Sequence, residues 1–297
     1  MRTAFLDALL AAAERDPRVW LLTGDLGYSV LEPFASRFPD RCVNVGIAEQ
    51  NMTGVAAGLA LAGKVPVTYS IANFPTLRCL EQIRNDVCYH GLNVKIVAVG
   101  GGMGYGSLGY THHAVEDLAI MRALPGMAVA APGDPYECAS VVETALAHQG
   151  SVYLRLGKAG EPCVHPGPVS LPVGESAWVR RGDGPTLVST GTILPLVIEA
   201  ADRLGGVSVV SLPWVSPIPP SVARELAAAG PVVCVEEHGR GGLFAALCEA
   251  FAEAGVSAPI RSVRLNGEPP HVGGSPEYLR TRAGLTLDSI CDACCAR

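Results

Sequence analysis

Short apolar runs alternate with helix-compatible stretches along almost the whole chain, and this alternation limits the fold more than any other feature. In the first half the runs are VWLLTGD (19–25), VPVTYS (65–70), VKIVAVGGG (94–102), MAVAAPGD (127–134) and SVYLRLG (151–157). Each ends in glycine or a polar turn and lacks inner polar alternation, the pattern of a strand buried on both faces. Between them, LRCLEQIRNDVCYHG (77–91) and DPYECASVVETALAHQG (134–150) read as helices. Strands and helices in this order predict an α/β fold, a mainly parallel sheet flanked by helices.

A Pro/Gly-rich stretch, GEPCVHPGPVSLPVGE (160–175), interrupts the alternation, which then resumes. The later strands are PTLVSTG (185–191), VSVVSLP (207–213), PVVCVEEHG (231–239) and APIRSVRLNG (258–267), with helical segments between them. The expectation is therefore two domains, residues 1–160 and 185–297, joined by a linker at 161–184; 297 residues are enough for two cores. In open parallel sheets ligands sit at the carboxyl ends of strands. That rule points to Asp25, the loop 100–113, Arg155 and residues 236–242.

The chain carries a net charge of −6, only 17% charged residues and no long basic run, which excludes a nucleic-acid-binding surface. Its N-terminus, MRTAFLDALLAAAERDPRVW, reads as an amphipathic helix bearing Asp7, Glu14 and Arg15 rather than as a signal peptide. No uninterrupted apolar run is long enough to span a membrane. A soluble, cytoplasmic protein is expected. The ten cysteines are scattered except for 291-CDACC-295, and no second ligand pair lies near that tail. They read as small apolar positions in a reducing compartment, so no metal ligands are predicted on this chain.

Two segments carry chemistry. In NVGIAEQNMTGVAAGLALAG (44–63), Glu49 heads an uncharged, small-residue helix predicted over Ala48–Ala62. It is either a solvated first-turn acid, favoured by the helix dipole, or a buried acid with a task. In GGGMGYGSLGYTHHAVEDLAIMRALPGM (100–127), a glycine-rich loop closes on His112 and His113. It matches neither a phosphate-binding Walker loop nor a dinucleotide fingerprint. The histidine pair is either a helix cap or a functional pair. GDG (182–184) has no asparagine after it before Asn266, too late for a Mg–diphosphate motif, and reads as a turn.

In order, TGDLG (23–27), NVGIAEQNMTGVAAGLALAG (44–63), GYTHH (109–113), RLG (155–157) and EEHGRGGL (236–243) resemble the transketolases, over nearly the whole chain. More narrowly, the chain resembles the C-terminal half of a split, two-subunit transketolase or transketolase-like thiamine diphosphate enzyme. That half is a pyrimidine-binding domain followed by a transketolase C-terminal domain. The resemblance implies that Glu49 hydrogen-bonds N1′ of the aminopyrimidine, favouring the imino tautomer whose 4′-nitrogen takes the proton from thiazolium C2. A carboxyl that shares a proton needs an apolar site. Phe74 matches the aromatic that stacks on the pyrimidine, Ile71 a neighbouring position, and Asp25 and Leu26 positions at the thiazolium. His112, with His113 beside it, matches the histidine that contacts donor hydroxyls and moves protons. Arg2, Ser29 and Arg155 match positions that bind the substrate phosphate.

The resemblance further implies an N-terminal partner subunit carrying the diphosphate domain and its Mg2+ or Ca2+, an α2β2 heterotetramer, and small-molecule sugar substrates. The small-residue helix is expected at that interface, and the E-E-H at a strand end is expected to pack structurally against the pyrimidine domain. Activity is implied as transfer of a two-carbon ketol, or acyl, unit from a ketose or 2-oxo acid to an aldehyde or ketone. The chain departs from the family where Gly100 replaces a histidine and Ser107 and Leu108 replace Glu-Asp, which implies a roomier, less polar wall and a specialised sugar. The alternatives are a 1-deoxyxylulose-5-phosphate synthase-like chain, a 2-oxoacid dehydrogenase E1 beta-like subunit, and a non-catalytic scaffold subunit.

Overall fold

The computed structural model describes residues 1–265 and 267–296; Asn266 and Arg297 lie outside the described residues. Its strands are β1 (Val19–Thr23), β2 (Cys42–Asn44), β3 (Val65–Ile71), β4 (Lys95–Val99), β5 (Ala128–Ala130), β6 (Val152–Leu156), β7 (Ala177–Arg180), β8 (Thr186–Ser189), β9 (Ser208–Ser211), β10 (Trp214–Ser216), β11 (Val232–Glu236) and β12 (Ile260–Arg264). Among the described residues they form one sheet in the order β10-β5-β6-β4-β3-β1-β2 and another in the order β12-β11-β8-β9-β7. Pairing is parallel except at two edges, where β10 runs antiparallel to β5 and β7 antiparallel to β9. This is the expected α/β architecture of two mainly parallel sheets.

The central strands β4 and β6 are buried along their full length, as their mainly apolar runs predict. On one face, Met52, Ala56 and Ala57 of the helix Glu49–Leu61 join Leu22 and Ile96 in a core. On the other, Phe5 and Leu9 of the helix Arg2–Arg15 and Val141 of the helix Pro135–Ala147 pack with Val67, Val97 and Leu154. Lys95 opens β4 yet is fully buried; its Nζ donates to the carbonyls of His148 (2.9 Å) and Gly150 (2.6 Å) just past the helix Pro135–Ala147. Burial pushes its pKa down to about 7.

The domains are stitched together rather than merely tethered. The chain leaves the second sheet after β9 and lays β10 on the edge of the first. Trp214 of β10 is fully buried and donates its indole N–H to the carbonyl of Leu171 at 3.1 Å. The stretch 161–184 is not a plain connector. Asp134 Oδ2 accepts from the backbone N–H groups of Val164 and His165, pinning it to the first domain, and β7 lies within it. The strands β2 and β10, three residues each, are too short to show a sequence pattern. The predicted helix at 77–91 is a 3-10 turn, a single α turn and a π segment, Leu77–Cys88. The tail helix Leu287–Cys295 buries Cys291 and leaves Cys295 exposed, and all ten cysteines are free thiols. No described helix is long and apolar enough to cross a membrane.

Removing the Trp214 side chain deletes both a large core group and the edge anchor. Trp214→Ala is expected to lower unfolding free energy by about 3–5 kcal/mol, read as a fall in the urea midpoint.

Candidate active site

Three parallel neighbours, β1, β3 and β4, end side by side, and their following loops bring most of the predicted site residues together. Glu49 is the first residue of its helix and only 2% exposed. Its Oε2 accepts a hydrogen bond from Arg78 Nη1 at 2.6 Å. The Arg78 guanidinium also lies 4.6 Å from the centroid of the Phe74 ring. The other neighbour of Phe74 is His112, ring to ring at 5.1 Å in an edge contact. A hydrogen bond of 3.0 Å joins Thr111 Oγ1 to His112 Nδ1, and Asn73 Nδ2 holds the Thr111 carbonyl at 2.8 Å. Loops after β3 and β4 are thereby locked to each other with Phe74 and His112 between them.

The loop after β1 approaches the same place. Gly24 packs close to Glu49: a Cβ added there would lie 3.7 Å from Glu49 Cγ, 3.8 Å from its Oε1 and a tight 3.3 Å from the Gly46 carbonyl. Asp25 adopts a positive φ of 56° and is held by Asn44, whose Oδ1 accepts from its N–H and whose Nδ2 donates to its Oδ1, both at 3.0 Å. The Leu26 carbonyl accepts from Thr23 Oγ1. Ser29, also at positive φ, is exposed, and its N–H donates to Glu32. Ile71 closes β3, half-buried. Arg2 acts electrostatically on Tyr69 and Tyr105, which places its charge near this end of the sheet.

Gly100 is not a gap in the wall. It has φ of +78°, and a Cβ there would meet the Tyr105 ring at 2.1 Å. Tyr105 therefore fills the space a side chain at 100 would need, with Lys158 Nζ 4.8 Å from its centroid. The wall is re-formed by an aromatic ring rather than opened. Ser107 and Leu108 lie exposed on a 3-10 turn.

Two predicted site residues face elsewhere. His113 is 1% exposed, neither of its ring nitrogens has a partner among the described residues, and burial lowers its pKa. Arg155 is buried beneath Gly101, where a Cβ would meet its Nε at 2.1 Å. Its Nη2 donates to the Glu237 carbonyl at 2.8 Å, and its Nε lies 3.6 Å from Asp117 Oδ2.

Glu49, with no hydrogen bond to its Oε1 among the described residues, and the Phe74 ring offer an acceptor and an aromatic face that fit a planar, protonatable heterocycle. The Arg78 guanidinium, a flat cation, lies over the Phe74 ring and donates to Glu49. Residues 1–160 match the family model "Transketolase, pyrimidine binding domain", and residues 174–290 match "Transketolase, C-terminal domain". The chain belongs to the transketolase family. It is 35% identical over 268 residues to an apulose-4-phosphate transketolase subunit from Actinobacillus succinogenes, covering 88% of this chain and 86% of that one. It is 34% identical to a 6-deoxy-6-sulfo-D-fructose transketolase subunit from a Clostridium species, covering 98% and 92%. A solved structure described as a split gene transketolase, inactive beta4 tetramer, superposes with a TM-score of 0.88 at 36% identity, covering 98% and 95%.

The transketolase E-E-H motif forms the joint between the domains. Glu236 Oε2 and Oε1 accept from the N–H groups of Leu243 (2.6 Å) and Phe244 (3.0 Å), capping the helix Leu243–Glu253. Glu237 Oε1 accepts from Met103 N–H at 3.1 Å, and its Oε2 pairs with Arg280 at 2.8 Å. His238 is fully buried, 3.7 Å from Asp117 Oδ1, too far for a hydrogen bond. Nothing in the sequence singles out Arg78 or Tyr105, whereas the E-E-H packs against the pyrimidine domain as expected, through Glu237 and Met103. Only a search for the counter-charge of Glu49 would have reached Arg78.

Burial lowers the His238 pKa from 6.5 to about 4. The folded state thus resists a proton that the unfolded chain accepts, so stability holds above about pH 6.5 and falls from there toward pH 4. The slope contributed is at most ~1.4 kcal/mol per pH unit. In urea titrations across this window, His238→Gln is expected to lose acid sensitivity relative to wild type.

Proposed function

We propose that this chain is the C-terminal subunit of a split transketolase and supplies the pyrimidine side of a thiamine diphosphate site completed by a second polypeptide. The observation that carries this is the buried Glu49 carboxylate, bridged by Arg78 to Phe74 at the carboxyl ends of the strands, in a chain of this family. The cofactor supplies the carbanion chemistry of ketol transfer; this chain supplies placement and proton traffic. Glu49 would accept a hydrogen bond from N1′, Phe74 and Ile71 would bound the ring, Asp25 and Leu26 would flank the thiazolium, and His112 would exchange protons with the bound sugar. Diphosphate and its Mg2+ or Ca2+ belong to the partner. Among the described residues no group of three or more His, Cys, Asp and Glu side chains is placed to hold a metal.

The partner's surface has a counterpart here. Exposed large apolar residues come from loops at this same end of the sheet: Tyr28 (72%), Ile47 (78%), Leu77 and Leu108. On the helix Glu49–Leu61, a Cβ at Gly54 or Gly58 would meet nothing within 4 Å, leaving a face open to close backbone approach. An α2β2 assembly in the cytoplasm accommodates both features and the ten free thiols.

The substrate is a specialised, anionic sugar. Two relatives bear names of such sugars, one a phosphate and one a sulfonate. Tyr105, Lys158 and Arg2 give the wall at Gly100 an aromatic, cationic character suited to an anionic group. With Arg155 turned into the joint, Arg2 and the loop at Ser29 carry that contact.

Calorimetric titration with thiamine diphosphate and Mg2+ tests the reading. Binding is expected only when the chain is co-expressed with a diphosphate-domain subunit. Tight binding by this chain alone would contradict the shared site, and no binding in either state would favour a scaffold role.

A further inference from the structure

The two oxygens of Glu49 are used differently. Oε2 accepts from Arg78 at 2.6 Å, whereas among the described residues no hydrogen bond reaches Oε1. That free oxygen lies on the Gly24 side, 3.8 Å from where a Cβ would stand. We propose that Arg78 is a positioning residue for Glu49: it takes Oε2, supplies a permanent counter-charge, and leaves Oε1 turned to receive the proton on N1′ of the cofactor. This rests on the pyrimidine-site reading above.

A guanidinium does not release its proton in proteins, so its charge is fixed. A carboxylate buried without a counter-charge is costly and sheds its charge by taking a proton. The short charge-assisted bond to Arg78 is one that the carboxylate form makes. Arg78 is suited to the task because its side chain stays 45% exposed, which limits the desolvation cost on the cation. It is also restrained, since its guanidinium lies over Phe74 and its backbone belongs to the 3-10 turn Leu77–Cys79. One segment thus presents the ring for the pyrimidine and the cation that fixes the charge of its acid.

The consequence is a proton balance. An aminopyrimidine ring nitrogen is unprotonated at neutral pH, and Glu49 paired with Arg78 is a carboxylate. Joining them through a shared N–H···O bond takes one proton from solvent. If Glu49 already carries that proton, none is taken up.

The test is titration calorimetry of the complex assembled with the diphosphate-domain subunit, using thiamine diphosphate and Mg2+ at neutral pH in buffers of different ionisation enthalpy. Wild type is expected to take up about one proton per site on binding. Arg78→Gln is expected to bind with little or no uptake, and Arg78→Lys, which keeps the charge, to retain most of it. Uptake by Arg78→Gln equal to wild type would overturn the proposal, as would loss of uptake in Arg78→Lys. Wild-type uptake in Glu49→Gln would instead sink the pyrimidine-site reading itself.

Discussion

A carboxylate brought to 2% exposure has to be given partners, and this demand organises the cleft. Glu49 stands at the first turn of a helix, where the dipole favours its charge, with Arg78 against one oxygen and Gly24 beside the other. The helix behind it holds no further charge, which lets Met52, Ala56 and Ala57 pack closely under the sheet. The acid is therefore delivered to the strand ends by an element whose inner face, Met52, Thr53, Ala56 and Ala57, is core.

The second dependency is the joint between domains. The loop after β4 carries His112, and glycine-rich backbone by itself would not hold that side chain still. Here Arg155 fills the space under Gly101, and Met103 N–H is fixed by Glu237 from the other domain. Tyr105 packs over Gly100, and Asn73 ties Thr111 to the loop after β3. The C-terminal domain contributes to the site as a buttress, through a motif whose three polar residues are all buried.

Much of this was legible in the sequence because burial leaves a clear pattern. Mainly apolar runs marked β3, β4 and β6, and an acid at the head of an uncharged helix marked Glu49 as unusual. Three-residue edge strands such as β2 and β10 are decided by tertiary pairing, which no local pattern records. The direction of Arg155 was hidden for a similar reason: an arginine ending a buried strand can turn to ligand or to joint, and the absent Cβ of Gly101 decides it. The missing histidine at Gly100 suggested a roomier pocket, yet Tyr105, five residues on, takes that volume. His113 stands next to His112 in sequence, but the 3-10 turn Tyr110–His112 ends between them and sends their rings to different surroundings.

In the proposed function, Glu49 would promote proton release from the cofactor's reactive carbon within a site shared with a second polypeptide. The most direct measurement is the rate of deuterium exchange at thiazolium C2 in the assembled complex, followed by quenched-flow and proton NMR, for wild type and Glu49→Gln. A fall of about 10²-fold or more in the variant is expected, the scale of a lost proton-transfer group. Exchange at the wild-type rate in a complex that still binds thiamine diphosphate would contradict it.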